Sequence, residues 1–420
     1  MLVPQQHTVS KFPLCPGDAL MAEAKLIGPE LIADPYPTYS RLRRLNPVFR
    51  DPEIGAWIVT SYDGVLAGLR DSRFSSDRFA QTLQLLKFPG FAHLAPARVH
   101  SFIDRDPPDH TRLRGLVNKA FTPNRIAALE ARIQTLVDQL IEAFPRDHFD
   151  MIAALAEPLP LIVIAELLGV PATDREKIKH WSDAIANAFS GSFAIPDVAL
   201  LSRAAVALTE LFDYLAIQIE QRRRDPRDDL LTALVRAEEN QSRLSEDEIY
   251  STILILLIAG NETTTNLIGN GLYALLRHPE VQQDLWTNPS LLPQAIEEML
   301  RYDPPVQMIT RTARGDIELM GTLIPDGEKV FFILGAANRD AAHFPEPDAF
   351  LLTRDQCKHI SFGVGTHYCL GATLARLQGT VVFRSLIQRC SQVQLADEPP
   401  VYRENFNLRG LKSLKVTVQA

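Results

Sequence analysis

The stretch from His359 to Arg376, HISFGVGTHYCLGATLAR, constrains this 420-residue chain more than any other, because it packs three glycines and one cysteine into a loop ahead of a helix. Gly363 and Gly365 stand where a tight turn needs backbone angles that other residues resist. Gly371 leaves no side chain where a flat ligand would press close. Leu370, Ala372, Leu374, Ala375 and Leu377 form an apolar helical run after Cys369, so the thiol is expected at a helix N-terminus, whose partial positive charge favours thiolate. Such a cysteine is a ligand or a nucleophile. A dinucleotide-binding loop is excluded, because the third glycine that it requires falls on Tyr368.

A nucleophile wants a base at separate spacing, whereas a thiolate haem ligand wants backbone donors, a shielding aromatic and a cation for a propionate. Phe362 and His367 supply the last two. The segment resembles the haem-binding signature of the cytochrome P450 family, phenylalanine-glycine-x-glycine-x-basic-x-cysteine-x-glycine, with every fixed position filled and His367 at the basic one. The resemblance covers almost the whole chain after about residue 35. It implies a mainly α fold with small β-sheets, a triangular helix-rich prism that holds haem b between a long central helix and the helix of the cysteine loop. Cys369 is then the metal ligand.

Composition narrows the setting. With 46% hydrophobic and 22% charged residues the chain reads as an ordinary globular protein. Residues 1–35 read as a proline-containing lead-in and 36–420 as one catalytic domain. The opening MLVPQQHTVSKFPLCPGDAL shows no apolar leader or anchor, and the longest apolar run, Ile253 to Ala259, is too short to span a bilayer. A cytoplasmic monomer without membrane contact is expected. Net charge −8 argues against nucleic acid, and Cys15, Cys357, Cys369 and Cys390 are too scattered for a disulfide framework or an iron–sulfur set.

Along the chain, Tyr39 to Leu45 reads as a helix, Ala56 to Thr60 as a strand and Val65 to Leu69 as a helix. Arg73 to Phe102, rich in aromatics and weakly periodic, reads as either a mobile lid or a weakly marked helix pair; in the resembled family this region covers the substrate. Asp106-Pro107-Pro108 reads as a helix start with Asp106 as its cap. The following helix carries His110 and Arg114 four apart, hence on one face; in the resembled family that pair holds a haem propionate. Helical periodicity runs from Asn124 to Leu168. Ile178 to Phe189 and Val198 to Ile219 are two further amphipathic helices, which the resemblance makes the roof of the active site; Arg222, Arg223 and Arg224 end the second and are read as surface charge.

Ser245 with Glu248 forms a capping box before a long helix. Its centre, Ala259-Gly260-Asn261-Glu262-Thr263-Thr264-Thr265, places a glycine and three β-branched residues in mid-helix, a local cost that ordinary packing does not require. Thr263 is expected to bond back to the Ala259 carbonyl and open a notch. The match to the family's alanine-glycine-x-acid-threonine segment makes Glu262 and Thr263 a proton relay on the oxygen side, with Ala259 and Gly260 against the haem.

Glu298 and Arg301 lie three apart on one helix and match the family's glutamate-x-x-arginine pair, with a structural role. Here the chain departs from the family, since Ala349 stands where an arginine completes that group. Either Arg339 or Arg354 is expected to compensate. Arg311 and His359 join His110, Arg114 and His367 as propionate partners. Leu408 to Val418 is read as a closing hairpin, and Leu256, Met308 and Phe406 as substrate contacts.

The implied reaction is monooxygenation of a hydrophobic compound of fatty acyl, terpenoid, steroid or polyketide type. No flavin or nicotinamide loop is visible. Electrons from NAD(P)H therefore come indirectly, through a ferredoxin or flavodoxin with its reductase, docking on Arg112, Lys119 and Lys358. The rivals are a peroxide-driven haem enzyme and a haem carrier or gas sensor. The first typically lacks the acid and threonine.

Overall fold

The computed structural model describes residue 26 and residues 29–87, 90–92, 100–145, 148–190, 198–239, 242–354, 357–405 and 407–419. Its architecture is mainly helical. The axis is the helix Glu246–Arg277, started by Ser245: its hydroxyl accepts from the Glu248 amide while the Glu248 carboxylate accepts from the Ser245 amide. Buried residues from Ile249 to Leu275 occupy every face of it, so neighbours must surround it. Those neighbours include the helices Pro158–Leu167, Leu292–Tyr302 and Ala372–Arg389. Arg175–Ser190 and Val198–Arg224 pack against each other as the roof.

One five-stranded sheet stands beside this body, in the order Val48–Asp51, Ala56–Val59, Lys329–Ile333, Met308–Ala313, Phe74–Ser75. Lys329–Ile333 is central because its last four residues are all buried, a pattern that only a strand covered on both faces tolerates. It runs parallel to Ala56–Val59 and antiparallel to Met308–Ala313, with Val330 opposite Arg311. Arg311 is thereby fixed in the middle of a strand.

Three readings change, and one left open is decided. Asp106 does not cap the helix Asp109–Ala120, which has no side-chain cap; its carboxylate accepts from Ser75 Oγ at 2.5 Å and the Ser76 amide at 2.8 Å, tying the helix start to the sheet edge. The C-terminal segment is not one hairpin. Leu411–Ser413 pairs with Val401–Tyr402, while Lys415–Gln419 pairs with Gln392–Leu395 and with Phe149–Asp150. Arg222 is not surface charge: it is buried and bonded to Asp229 at 2.8 Å and to the Gly169 carbonyl at 2.8 Å, clamping the roof to the scaffold.

The one left open concerns the missing arginine. Glu298 and Arg301 are both buried and joined by bonds of 2.7 and 2.8 Å. Arg354 completes the group, its Nε lying 3.0 and 3.1 Å from the two Glu298 oxygens. The Ala349 carbonyl accepts from both arginines at 2.9 Å, so backbone occupies the place of the lost side chain. Arg339 is used elsewhere, stacked between the Tyr36 and Tyr302 rings at 3.5 and 3.8 Å and donating to the Tyr302 carbonyl.

Candidate active site

The loop ahead of Ala372–Arg389 turns with Gly363 at φ 68 and Gly365 at φ 74, in the region that side chains resist. Its closing bond runs from the Cys369 amide to the Phe362 carbonyl at 2.9 Å. Cys369 is delivered three residues before the helix rather than on its first turn. Burial pushes its thiol up, against the opposing pull of the Gly371 amide, Arg114, Arg376 and the Ala372 amide. The helix terminus does favour thiolate, but desolvation is the larger effect.

The sulfur faces a cavity with about 1210 Å³ of atom-free space, counting its mouth. Across from it stand Leu256, Ala259, Gly260 and Thr263 of the long helix. Thr263 Oγ1 donates to the Ala259 carbonyl at 2.5 Å, and Thr264 and Thr265 donate to Gly260 and Asn261 at 3.1 and 3.2 Å. Three successive back-bonds load one turn of the helix. A Cβ added at Gly260 or at Gly371 would meet nothing within 4 Å, so open space reaches both walls. Phe362, Gly363, His367 and Arg114 line the same cavity.

Two guanidiniums and two imidazoles gather on this side of the cavity, with Asp106 acting on His110, His367 and Arg311. His110 is buried, neither of its ring nitrogens has a partner, and its ring lies 4.0 Å from that of His367. Burial first, then neighbouring positive groups, push His110 down and His367 to about 3. Arg311 is buried and donates only to the Thr310 carbonyl among the described contacts; burial takes it down to about 10. Arg114 Nη2 donates to the Tyr368 carbonyl at 2.8 Å. Burial favours the neutral form of the two imidazoles, and the two partly desolvated guanidiniums still call for negative charge beyond Asp106. The acid side chains of haem fit that requirement, and the sulfur, the notch and the apolar walls fit its ring.

Other expected site residues lie elsewhere. Both ring nitrogens of His359 are engaged, one with Glu297 at 3.0 Å and one accepting the Ser361 amide at 3.2 Å, so it faces away from the rim. Met308 is buried in a separate cluster with Tyr36, Tyr39 and Phe49. Phe406 lies outside the described residues, as does part of the expected lid. Glu262 is half-buried beside the notch; burial raises its carboxyl above the ordinary range, and Arg403 partly opposes this. Arg112, partly exposed, pairs with Glu248, and Lys358 is exposed.

Glu297 is a site residue that the sequence alone does not reveal. Its carboxylate accepts from Arg376 at 2.7 and 2.8 Å as well as from His359, and Arg376 lies 4.4 Å from the centre of the Phe362 ring. The adjacent Glu298 carries a recognisable spacing; Glu297 has no such signal.

The cytochrome P450 family model matches residues 84–418. The monooxygenase PikC of Streptomyces venezuelae is 42% identical over 93% of this chain and 92% of its own length. PksS of Bacillus subtilis, described as a polyketide biosynthesis cytochrome P450, is 38% identical over 93% and 97%. Among solved structures, P450BioI in complex with an acyl carrier protein bearing hexadec-9Z-enoic acid superposes with TM-score 0.86 at 36% identity, covering 93% of this chain and 99% of that one. A cavity-facing sulfur, a threonine notch and an anion-seeking rim around one apolar cavity thus coincide with full-length kinship, and the chain belongs to the cytochrome P450 family as a haem-binding monooxygenase.

Proposed function

We propose that Cys369 holds the iron of haem b, with His110, Arg114, Arg311 and His367 around its propionates and Phe362, Gly363, Gly371, Ala259 and Gly260 against its faces. One observation carries this assignment: a cysteine sulfur and a back-bonded threonine line one cavity, with Arg114 and His367 on its wall and the buried His110 beside His367 without a hydrogen-bond partner. Thiolate-ligated haem supplies an oxidant able to attack unactivated carbon. The chain's own residues bind, orient and manage protons. Glu262 keeps its proton to higher pH than an exposed carboxyl because it is buried, which suits it to act as an acid beside Thr263. His359 works through Glu297, outside the propionate set.

The substrate is a small molecule with a hydrophobic body, matched to Leu256, Ile164 and Ile255 on the cavity wall. The polyketide role in the name of one relative and the acyl chain carried by the protein bound to P450BioI point to an acyl or polyketide compound. Electrons originate in NAD(P)H and pass through a reductase and a ferredoxin or flavodoxin. No described helix is long and apolar enough to cross a membrane. The enzyme acts as a cytoplasmic monomer, with one catalytic domain over 36–420 behind the lead-in 1–35.

Thr263→Ala tests the relay. With surrogate redox partners and an accepted substrate, electron consumption should continue while product per electron falls about tenfold or more and hydrogen peroxide takes its place. Unchanged coupling would contradict the assigned role.

A further inference from the structure

Two arginines act on Cys369, and the fold treats them differently. Both Arg114 and Arg376 favour the anion of its thiol. Arg114 donates to the Tyr368 carbonyl at 2.8 Å and to the Asn118 side chain at 3.2 Å, and among the described residues it pairs with no carboxylate. Arg376 has a counterion of its own. Its Nε and Nη2 donate to the two Glu297 oxygens at 2.7 and 2.8 Å, a two-pronged pair that fixes the guanidinium plane. Its Nη1 donates to the Tyr368 hydroxyl at 3.2 Å, and its carbon lies 4.4 Å from the centre of the Phe362 ring.

Glu297 is held from a second side. His359 Nδ1 accepts the Ser361 amide at 3.2 Å, which leaves Nε2 to donate to Glu297 at 3.0 Å. One carboxylate on the helix Leu292–Tyr302 therefore joins both ends of the cysteine segment, the loop through His359 and the following helix through Arg376. The pair also reaches the sulfur's surroundings. Phe362, whose ring Arg376 covers, lines the cavity, and its carbonyl accepts the Cys369 amide at 2.9 Å. The Arg376 and Glu297 side chains are 32% and 30% exposed, so water screens the pair only in part.

Such a pair can act by shape or by charge, and charge matters here because of what the redox partner delivers. Its first electron turns ferric iron into ferrous iron, leaving one more negative charge at a site where the thiolate is already an anion. An uncompensated Arg376 would favour that step, and a compensated one gives it less help. We infer that Glu297 sets the reduction potential of the haem iron by offsetting the Arg376 charge, as a positioning residue that acts through Arg376 and does not touch the cofactor. This rests on the assignment of Cys369 as the iron ligand.

Redox titration of the purified, haem-loaded enzyme with mediator dyes, at neutral pH and low salt, tests it. Glu297→Gln keeps the shape and loses the charge; it should favour ferrous iron about threefold, a rise of about 28 mV for one electron. Arg376→Gln should shift the potential the other way by a similar factor. The double variant should lie close to the parent, and so should Glu297→Asp, which keeps the charge. A purely mechanical brace predicts shifts of one sign in both single variants, because losing either partner loosens the same loop. Shifts of one sign, or none in either, would overturn the inference. Should Arg376→Gln fail to retain haem, the comparison at 297 decides: a raised potential in Glu297→Gln with none in Glu297→Asp supports the inference, and equal displacement in both overturns it. The ferrous carbon monoxide spectrum keeps the two readings apart. A thiolate-type band with unmoved potentials removes the role of Glu297 alone, whereas the lack of that band in the parent removes the ligand assignment with it.

Discussion

Arg354 shows how a side chain can be replaced from a different position without losing its chemistry. Glu298 has both oxygens buried, so a single guanidinium from Arg301 leaves acceptor capacity that must be filled. Arg354 fills it from five residues beyond Ala349, and the Leu351 amide adds a bond of 2.8 Å to the same carboxylate. Arg354→Ala should therefore destabilise the fold by about 3 kcal/mol, the low end for a broken buried ion pair because Arg301 remains. Chemical denaturation checks this. A loss below about 0.5 kcal/mol, the size of a surface substitution, would show that Arg354 is a bystander. The sequence leaves Arg339 and Arg354 open as alternatives because both are arginines within reach of the same loop. Geometry separates them: the Arg339 guanidinium is consumed by two tyrosine rings.

At the level of elements, the loop carrying Cys369 is braced from behind by the helix Leu292–Tyr302 through Glu297. Burial alone would raise the Glu297 carboxyl, yet bonds to Arg376 and His359 outweigh it and hold the group at about 2, below the ordinary 4.5. A carboxyl depressed in the folded state lends stability that is complete above its unfolded value and drains away as pH falls toward the folded one. The urea midpoint should thus drop more steeply between pH 4.5 and about 2 in the parent than in Glu297→Gln. Parallel pH profiles would contradict the brace. Local signals make several elements readable from residues alone: the Ser245 capping box marks the start of the long helix, and the turn glycines mark the cysteine loop. What local signals lack is partner choice. Leu408 to Val418 reads as a hairpin, but its strands pair with segments as distant as Phe149–Asp150. Arg222 reads as solvated for the same reason, since nothing nearby in sequence announces Asp229 as a buried partner.

Across the whole molecule, the site is assembled from segments more than two hundred residues apart, with His110 from one helix meeting His367 from the cysteine loop. Motif spacing identifies the participants but not their orientation. His359 and Met308 match by position and yet point into other surroundings, because a side chain's direction is set by which neighbour offers it a bond or a packed surface. The same frame brings two guanidiniums and two imidazoles together from distant segments, a grouping that suits a ligand with acid groups of its own. His110→Phe, which keeps the ring volume and removes the nitrogens, should lower haem retention during purification while leaving the helix content unchanged. Full retention would argue that the rim serves another anion.

The central claim is that the Cys369 sulfur binds haem iron as a thiolate. Reducing the purified, haem-loaded protein under carbon monoxide tests it most directly. The account predicts the strongly red-shifted Soret band of a thiolate-ligated ferrous carbonyl complex, abolished in Cys369→Ser; a band typical of nitrogen ligation in the parent, or one that persists unaltered without the cysteine, would contradict it.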